Sequence, residues 1–530
     1  MTQTSRRLLA VLTGLVAGAG LLLVAPAAAE RQARPHARTA ARAIVHGHVT
    51  AASQNRPTSF EVFAQRSRPR LSTKGSTEAP GTRFPAFQFG FDGLADPFSR
   101  PSDTTGALGD SFYVVAVNTQ VAVYDRTGVQ VVAPIQLDAL HPDSSGRLSF
   151  DPKVVYDQYN DTFLVVYLVQ EDSPRLSLIV AVAIPNATAS NTGTWCPTSF
   201  PGDAFPASPR LWADYPGVGY NDTRVTITTN QFTFPSSTAR FRHSQIMTVD
   251  KTALYDCTQP APMPTVFGGT KTRDTNGFQS FTLRPAETVG SSPGAQLLIS
   301  FEPIDGKSDY LVLWRIKPTA TGFTLKKACC GSTGRVSVPP LGSQGGGGVN
   351  DPDFWWDPGD FRLVNAFYDA DRNELFAAHT VFKNFKPDVL TGSYPEAAVQ
   401  WYEVNPKSNL RNSVLARKGV IGSTEVDVGW PTVATDSTGT LFVTYSRASD
   451  PHDEFLSAWV ATIPSNSTAD TQLLLRAGSA TYDASNGPER WGDYTAINRD
   501  PLDGQYLATS NQYAASSAQW QQFISTVTDN

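Results

Sequence analysis

Two short stretches of the chain hold nearly the same set of chemically capable side chains. PRLWADYP brings Arg210, Trp212, Asp214 and Tyr215 together, and ERWGDYTAIN does the same for Arg490, Trp491, Asp493 and Tyr494. Two carboxylates can divide acid and base, or acid and nucleophile, roles across a glycosidic bond, and their separation decides the stereochemical outcome. Aromatic rings beside them would stack on sugars, and an arginine can grip a carboxylate substituent with two parallel hydrogen bonds. Asp214 and Asp493 are therefore the candidate catalytic pair. Arg210, Trp212, Tyr215, Arg362, Arg490, Trp491, Tyr494, Asp103 and Asp151 are the candidate binding residues. The same residues have a structural reading, in which Arg490 and Asp493 bridge neighbouring repeats while Trp491 and Tyr494 fill the interfaces between them.

Other reaction classes find less support. GSQGGGG at 342–348 lacks the Lys-Ser or Lys-Thr that completes a phosphate-binding loop and reads as a lid or connecting loop. No Gly-x-Ser-x-Gly elbow occurs, which weakens Ser/His/Asp hydrolysis. DADRNE at 369–374 has the spacing of the first calcium-loop ligands, but Glu374 stands where the loop needs glycine. It reads as a turn. His379, in AAHTVF, reads as a core histidine. With no Cys-x-x-Cys and no Cys/His spacing suited to zinc, neither a metal nor another cofactor is expected.

The elements that position these residues are repeats. After residue 84 helical periodicity nearly vanishes, and short β-branched and aromatic runs alternate with Asp, Asn and Gly turns. One unit recurs: a short strand, an Asp-led turn, a strongly apolar strand and a further strand. DPKVVYDQYNDTFLVVYLV, DYPGVGYNDTRVTITTNQF, FRLVNAFYDADRNELFAAHTVF, WPTVATDSTGTLFVTYSRAS and DYTAINRDPLDGQYLATSNQY are its clearest copies. DTTGALGDSFYVVAVN begins an earlier copy, and a looser one surrounds QLLISFEP. Such repeats bury their faces only by packing on one another. The expectation is an all-β fold: a single seven-bladed β-propeller of four-stranded antiparallel blades over 84–530. A pair of β-sandwiches is the alternative. Asp157, Asn160, Asp161, Asp436, Asp500 and Asp503 should serve the hairpin turns, because Asx side chains bond their own backbone.

Aligned on the turn, Asp103, Asp214 and Asp493 fall in one column, with Arg362 beside them, and Asp151, Tyr215, Trp430 and Tyr494 in the next. Both columns lie at the start of the first strand, which in a propeller is innermost. Acids, an arginine and aromatics should converge on one end of the axis.

The ends and charge of the chain suggest export. Residues 1–29 read as a signal peptide: Arg6 and Arg7, an apolar run to Val24, then Ala27-Ala28-Ala29, with SRRLLA also approximating a twin-arginine signal. After its removal no membrane span is expected. Residues 30–83, a basic low-complexity linker or pro-segment, hold ten Lys and Arg against three Glu; with the whole chain at −5, residues 84–530 stand at −14. That acidity argues against a nucleic-acid partner. Cys196, Cys257, Cys329 and Cys330 allow three pairings, including Cys196 with Cys257 beside an adjacent-cysteine ring.

In order, PSDTTGALGDSFYVVAVNTQVAVYDRTG, DPKVVYDQYNDTFLV, DYPGVGYNDTRVTITTNQF, DFRLVNAFY, HTVF, QWYEV and RWGDYTAINRDPLDGQYLATSNQY resemble a family of large secreted bacterial β-propeller proteins. The turns are distantly similar to sialidase Asp-boxes, with DSTGTLFVT the nearest. The resemblance implies fold and export. It also implies Asp-Arg-Leu where Asp360-Phe361-Arg362-Leu363 stands, Asn-His where Ala378-His379 stands, and Asn-Glu-Tyr where Asn511-Gln512-Tyr513 stands. If the Glu of that pattern is catalytic in relatives, this chain, with Gln512 there, lacks it. The functional expectation is a monomeric secreted propeller that binds an extracellular glycan or other polymer in an acidic, aromatic funnel. A glycoside hydrolase or lyase using Asp214 and Asp493 is the alternative, and a protein-interaction scaffold the second.

Overall fold

A computed structural model describes residues 84–529 except 206–209, 275–276, 292–293, 304–308, 321, 328–335, 339–355, 384, 386–395, 450–453 and 485–488. The signal and linker expectations, Cys329, Cys330 and the glycine-rich 342–348 lie outside the described residues.

The fold is an all-β propeller of four-stranded antiparallel blades. Four sheets have four strands each: residues 105–136, 148–201, 427–476, and a last one in which Pro85–Asp92 joins Ala496–Arg499, Tyr506–Ser516 and Gln519–Asp529. A fifth, around Arg284–Pro285 and Gln296–Pro303, has five strands, and a sixth has nine. Among the described residues the strands group into six sheets rather than seven. The reason is local: after Ala286 the chain continues as Glu287–Val289, which pairs in parallel with both Leu211–Tyr220 and Ala366–Asp369. That short strand joins two antiparallel four-strand runs, 211–267 and 366–421, into one sheet. The ring closes where the first described strand, Pro85–Asp92, lies antiparallel to the last, Gln519–Asp529.

The apolar strands bury both faces against neighbouring sheets, as in Thr162–Glu171 and Leu211–Tyr220. Large aromatics fill the space between them; Trp212, Trp314, Trp401, Trp430, Trp491 and Trp520 are all fully buried. The turn acids behave as their chemistry dictates. Asp436 accepts from the backbone of Thr438 and Thr440, Asp500 from Leu502, Asp503 from Gln505 and Asn221 from Thr223. Asp369 likewise accepts from Arg372 N, so DADRNE is a turn. Of the cysteine pairings left open, Cys196 with Cys257 forms, 61 residues apart. It ties an outer strand of one blade to the loop between the third and fourth strands of its neighbour.

Three innermost strands share one irregularity. Their register slips between Phe150 and Lys153, Asp214 and Gly217, and Gly429 and Thr432. At each slip a non-glycine residue has positive φ, Asp151 at 54°, Tyr215 at 54° and Trp430 at 53°, and each precedes a proline. Proline has no N–H for a ladder, so a bulge is where an inner strand tolerates it. Asp103 also has positive φ, at 51°, but it precedes Thr104 and lies just before its strand rather than at a register slip.

Gly429, at one of these bulges, faces backbone. A Cβ there would stand 2.1 Å from Pro358 O and 2.7 Å from Pro358 C. Backbone cannot swing aside as a side chain can, so Gly429→Ala should destabilise by about 2–3 kcal/mol. A shift in urea midpoint checks this, and an unchanged midpoint would refute the close approach.

Candidate functional site at one end of the axis

The bulges aim side chains at one place, and the hydrogen bonds there link blade to blade. Asn118 Oδ1 accepts from Asp151 N at 2.8 Å, Asp151 Oδ2 accepts from Tyr215 N at 3.1 Å, and Asp103 Oδ1 accepts from Asp493 N at 3.0 Å. Tyr494 Oη donates to Asp151 Oδ2 at 3.0 Å, and its ring stacks on that of Tyr215 with centroids 5.1 Å apart. Asp103 and Asp151 thus serve as clasps for the starts of neighbouring inner strands.

Asp103 Oδ2 and Asp151 Oδ1 are buried without a hydrogen-bond partner. Burial, with repulsion from Asp493, pushes the Asp151 carboxyl up to about 6 and holds Asp103 well above the usual carboxylate range.

Arg490 Nη2 donates to both oxygens of Asp493 at 3.0 Å. Asp214 has no such partner. Its side chain is buried, Oδ1 has no partner, and no hydrogen bond to its carboxyl forms among the described residues. Burial and the nearby Asp151 raise its pKa well above normal, and Arg362 only partly offsets this. Arg362 Nε donates to Asp360 at 2.8 Å, and its guanidinium lies 4.1 Å from the centroid of the Tyr215 ring. Toward solvent the cluster ends in Asp357, Asp360 and Arg490, whose side chains are 32%, 20% and 14% exposed.

The structure therefore brings together Asp103, Asp151, Asp214, Tyr215, Arg362, Arg490, Asp493 and Tyr494. It does not bring the two tryptophans to the rim. Trp212 stacks on Phe232 and donates to Thr233 O, while Trp491 packs on Tyr482 and donates to Ser446 Oγ. Both are packing residues. Arg210 is exposed. Chemically, the assembly offers an unpartnered buried carboxyl (Asp214) and one gripped by an arginine (Asp493).

Neither a protein-family model nor a curated protein matches the chain. Among solved structures it is similar to a protein of unknown function from Dyadobacter fermentans, at 10% identity and TM-score 0.39, covering 72% of this chain and 94% of that one. It is also similar to a Trypanosoma rangeli sialidase, at 10% identity and TM-score 0.39 over 82% of this chain and 59% of that one. A third is an arabinanase from Bacillus subtilis, at 13% identity and TM-score 0.28 over 59% and 96%.

Sequence reasoning missed several members of the cluster. Asp357 and Asp360 precede Arg362 in a stretch with no strand pattern, and only their nearness to it in DPGDFR could have flagged them. Lys153 and Arg284 gave no sign, because each sits singly in an apolar run. His379 is the core residue expected: its ring nitrogens meet Phe361 O at 2.8 Å and Tyr402 Oη at 2.9 Å, and burial lowers its pKa to about 4.

Proposed function

We propose that the chain is an exported seven-bladed propeller, the nine-stranded sheet counting as two blades, that acts as a monomer and binds an extracellular glycan or similar polar polymer where Asp214, Arg362, Arg490 and Asp493 meet. The observation that supports it is Asp214: a buried carboxyl with no hydrogen-bond partner needs a reason, and an incoming hydroxyl supplies one. Asp357, Asp360 and Arg490 provide a solvent-facing rim of acceptors and donors suited to sugar hydroxyls. The Cys196–Cys257 disulfide fits an oxidising compartment, and no helix among the described residues is long and apolar enough to cross a membrane.

A hydrolase reading has one observation in its favour. Asp214 is buried without a hydrogen-bond partner while Arg490 donates to both oxygens of Asp493, so the two carboxyls stand in unlike environments, the arrangement from which acid and base roles are made. Asp214 would protonate the leaving oxygen and Asp493 would act as base or nucleophile.

Isothermal titration against a panel of extracellular polysaccharides, with product release scored in parallel, tests both readings. Asp214→Asn should weaken binding at least about tenfold, a hydrogen bond to a charged or buried group being worth about 1.5–3 kcal/mol, and should abolish any product release. Asp360→Asn should weaken binding less. Binding unchanged in Asp214→Asn, with melting temperature unchanged, would remove the assignment.

A further inference from the structure

A second polar site lies on the axis among the innermost strands. Thr105, Lys153, Arg284, Glu287, Asn365 and Thr495 help line a cavity of about 30 Å³ there. Arg284 is buried in its wall. Its Nε donates to Leu363 O at 2.7 Å and its Nη1 to Pro216 O at 2.7 Å, but Nη2 is buried without a partner. The backbone makes room for it: a Cβ on Gly217 would stand 2.9 Å from Arg284 Nη1.

Lys153, buried beside it, makes no hydrogen bond or ion pair among the described residues; its ammonium lies 3.5 Å from the Tyr494 ring centroid. Arg284 lies 4.3 Å from the centroid of Tyr215, the ring stacked on Tyr494. Two basic side chains thus stand under one aromatic pair. Glu287 hydrogen-bonds Asn365, and burial pushes it up to about 8. Glu287, Asp103 and Asp151 are the acids acting on Lys153. Burial and the Arg284 charge consequently hold Lys153 well below the usual lysine range.

Buried like charges are retained when something of opposite sign compensates them. We propose that this cavity binds a small monovalent anion, of halide size, between the Lys153 ammonium and Arg284 Nη2. The size follows from the volume: roughly 10–15 Å³ of such space accommodates one water-sized particle, so an atomic ion fits and a sugar does not. The aromatic faces above hold the two cations, leaving the ammonium protons and Nη2–H to point at the ion. The inference stands apart from the glycan reading, because it uses neither Asp214 nor Asp493.

Crystals of the full exported chain grown with bromide in place of chloride should show an anomalous peak within hydrogen-bonding distance of Lys153 Nζ and Arg284 Nη2. At constant ionic strength, replacing gluconate by chloride should raise the melting temperature by about 1 °C or more through mass action on the folded state. Lys153→Met should remove that chloride response. Should Lys153→Met fail to fold, Lys153→Arg, which keeps the charge, should retain the response, and the bromide peak in the unaltered protein stands as an independent measure. A formate response equal to that of chloride would support the site and extend it to carboxylate groups. A water in place of the peak, or equal melting temperatures in chloride, formate and gluconate, would overturn the proposal.

Discussion

Lys251→Met should lower the stability of the folded chain by about 3–5 kcal/mol, while the double variant Asp157→Asn with Lys251→Met should lose much less. Lys251 opens the short helix Lys251–Tyr255, and Asp157 ends the inner strand Leu148–Asp157 of the preceding blade. The Lys251 ammonium donates to both Asp157 oxygens, at 3.1 and 2.8 Å, and to Asn221 O at 2.5 Å, with side-chain exposures of 1% and 0%. Burial outweighs mutual attraction on both sides: it raises Asp157 and lowers Lys251 relative to their ordinary ranges. The intact pair therefore adds little net stability. Breaking it is another matter, since a lone buried carboxylate keeps the whole desolvation penalty. Asparagine relieves that penalty and still accepts from Tyr159 N, as Asp157 does at 3.0 Å. Urea unfolding of the two variants decides the matter. Equal losses in the single and double variants would mean that the charge, once unpaired, is not buried.

What the sequence made legible follows from what repeats. Asx turns and apolar second strands recur with fixed spacing, so the hairpins at Asp436, Asp500 and Asn221 could be read directly. The closing strand Pro85–Asp92 could have been read from the alternation of Phe87, Phe89 and Phe91, but its partner Gln519–Asp529 lies at the other end of the chain. The parallel strand Glu287–Val289 has no signature at all, because three residues paired on both sides look like any connection. Composition likewise cannot separate a ring that stacks on sugar from one that packs on Phe232, and Trp212 shows the second outcome. The nearness of Arg490 to Asp493, three residues apart on one loop, was legible; that of Lys153 to Arg284 depended on two blades meeting.

The folded chain should lose stability as pH rises from about 6.5 to about 8.5, the reverse of ordinary acid denaturation. Burial pushes the carboxyls of Glu287 and Glu302 up to about 8 and that of Asp427 up to about 7. In the unfolded chain these groups ionise near 4. Between the two values the folded state holds more protons than the unfolded one, so stability falls with rising pH. The contribution of each group is complete below its unfolded pKa and gone once pH passes its folded pKa. His379 acts in the opposite sense: its folded pKa of about 4 lies below the unfolded value, so its contribution is lost as pH falls below about 6.5. Above that point each carboxyl acts by up to about 1.4 kcal/mol per pH unit, opposed by Lys153 and Lys251, whose folded pKa values burial lowers. Glu302 offers the cleanest test. It lies in the strand Gln296–Pro303, away from both sites, and accepts from Ser300 Oγ at 2.8 Å, a bond that glutamine preserves. Glu302→Gln should flatten the decline by one proton's share, read as melting temperature against pH. A wild-type curve already flat from about pH 6.5 to about 8.5 would show that these carboxyls are ionised in the folded state and have found water or a cation.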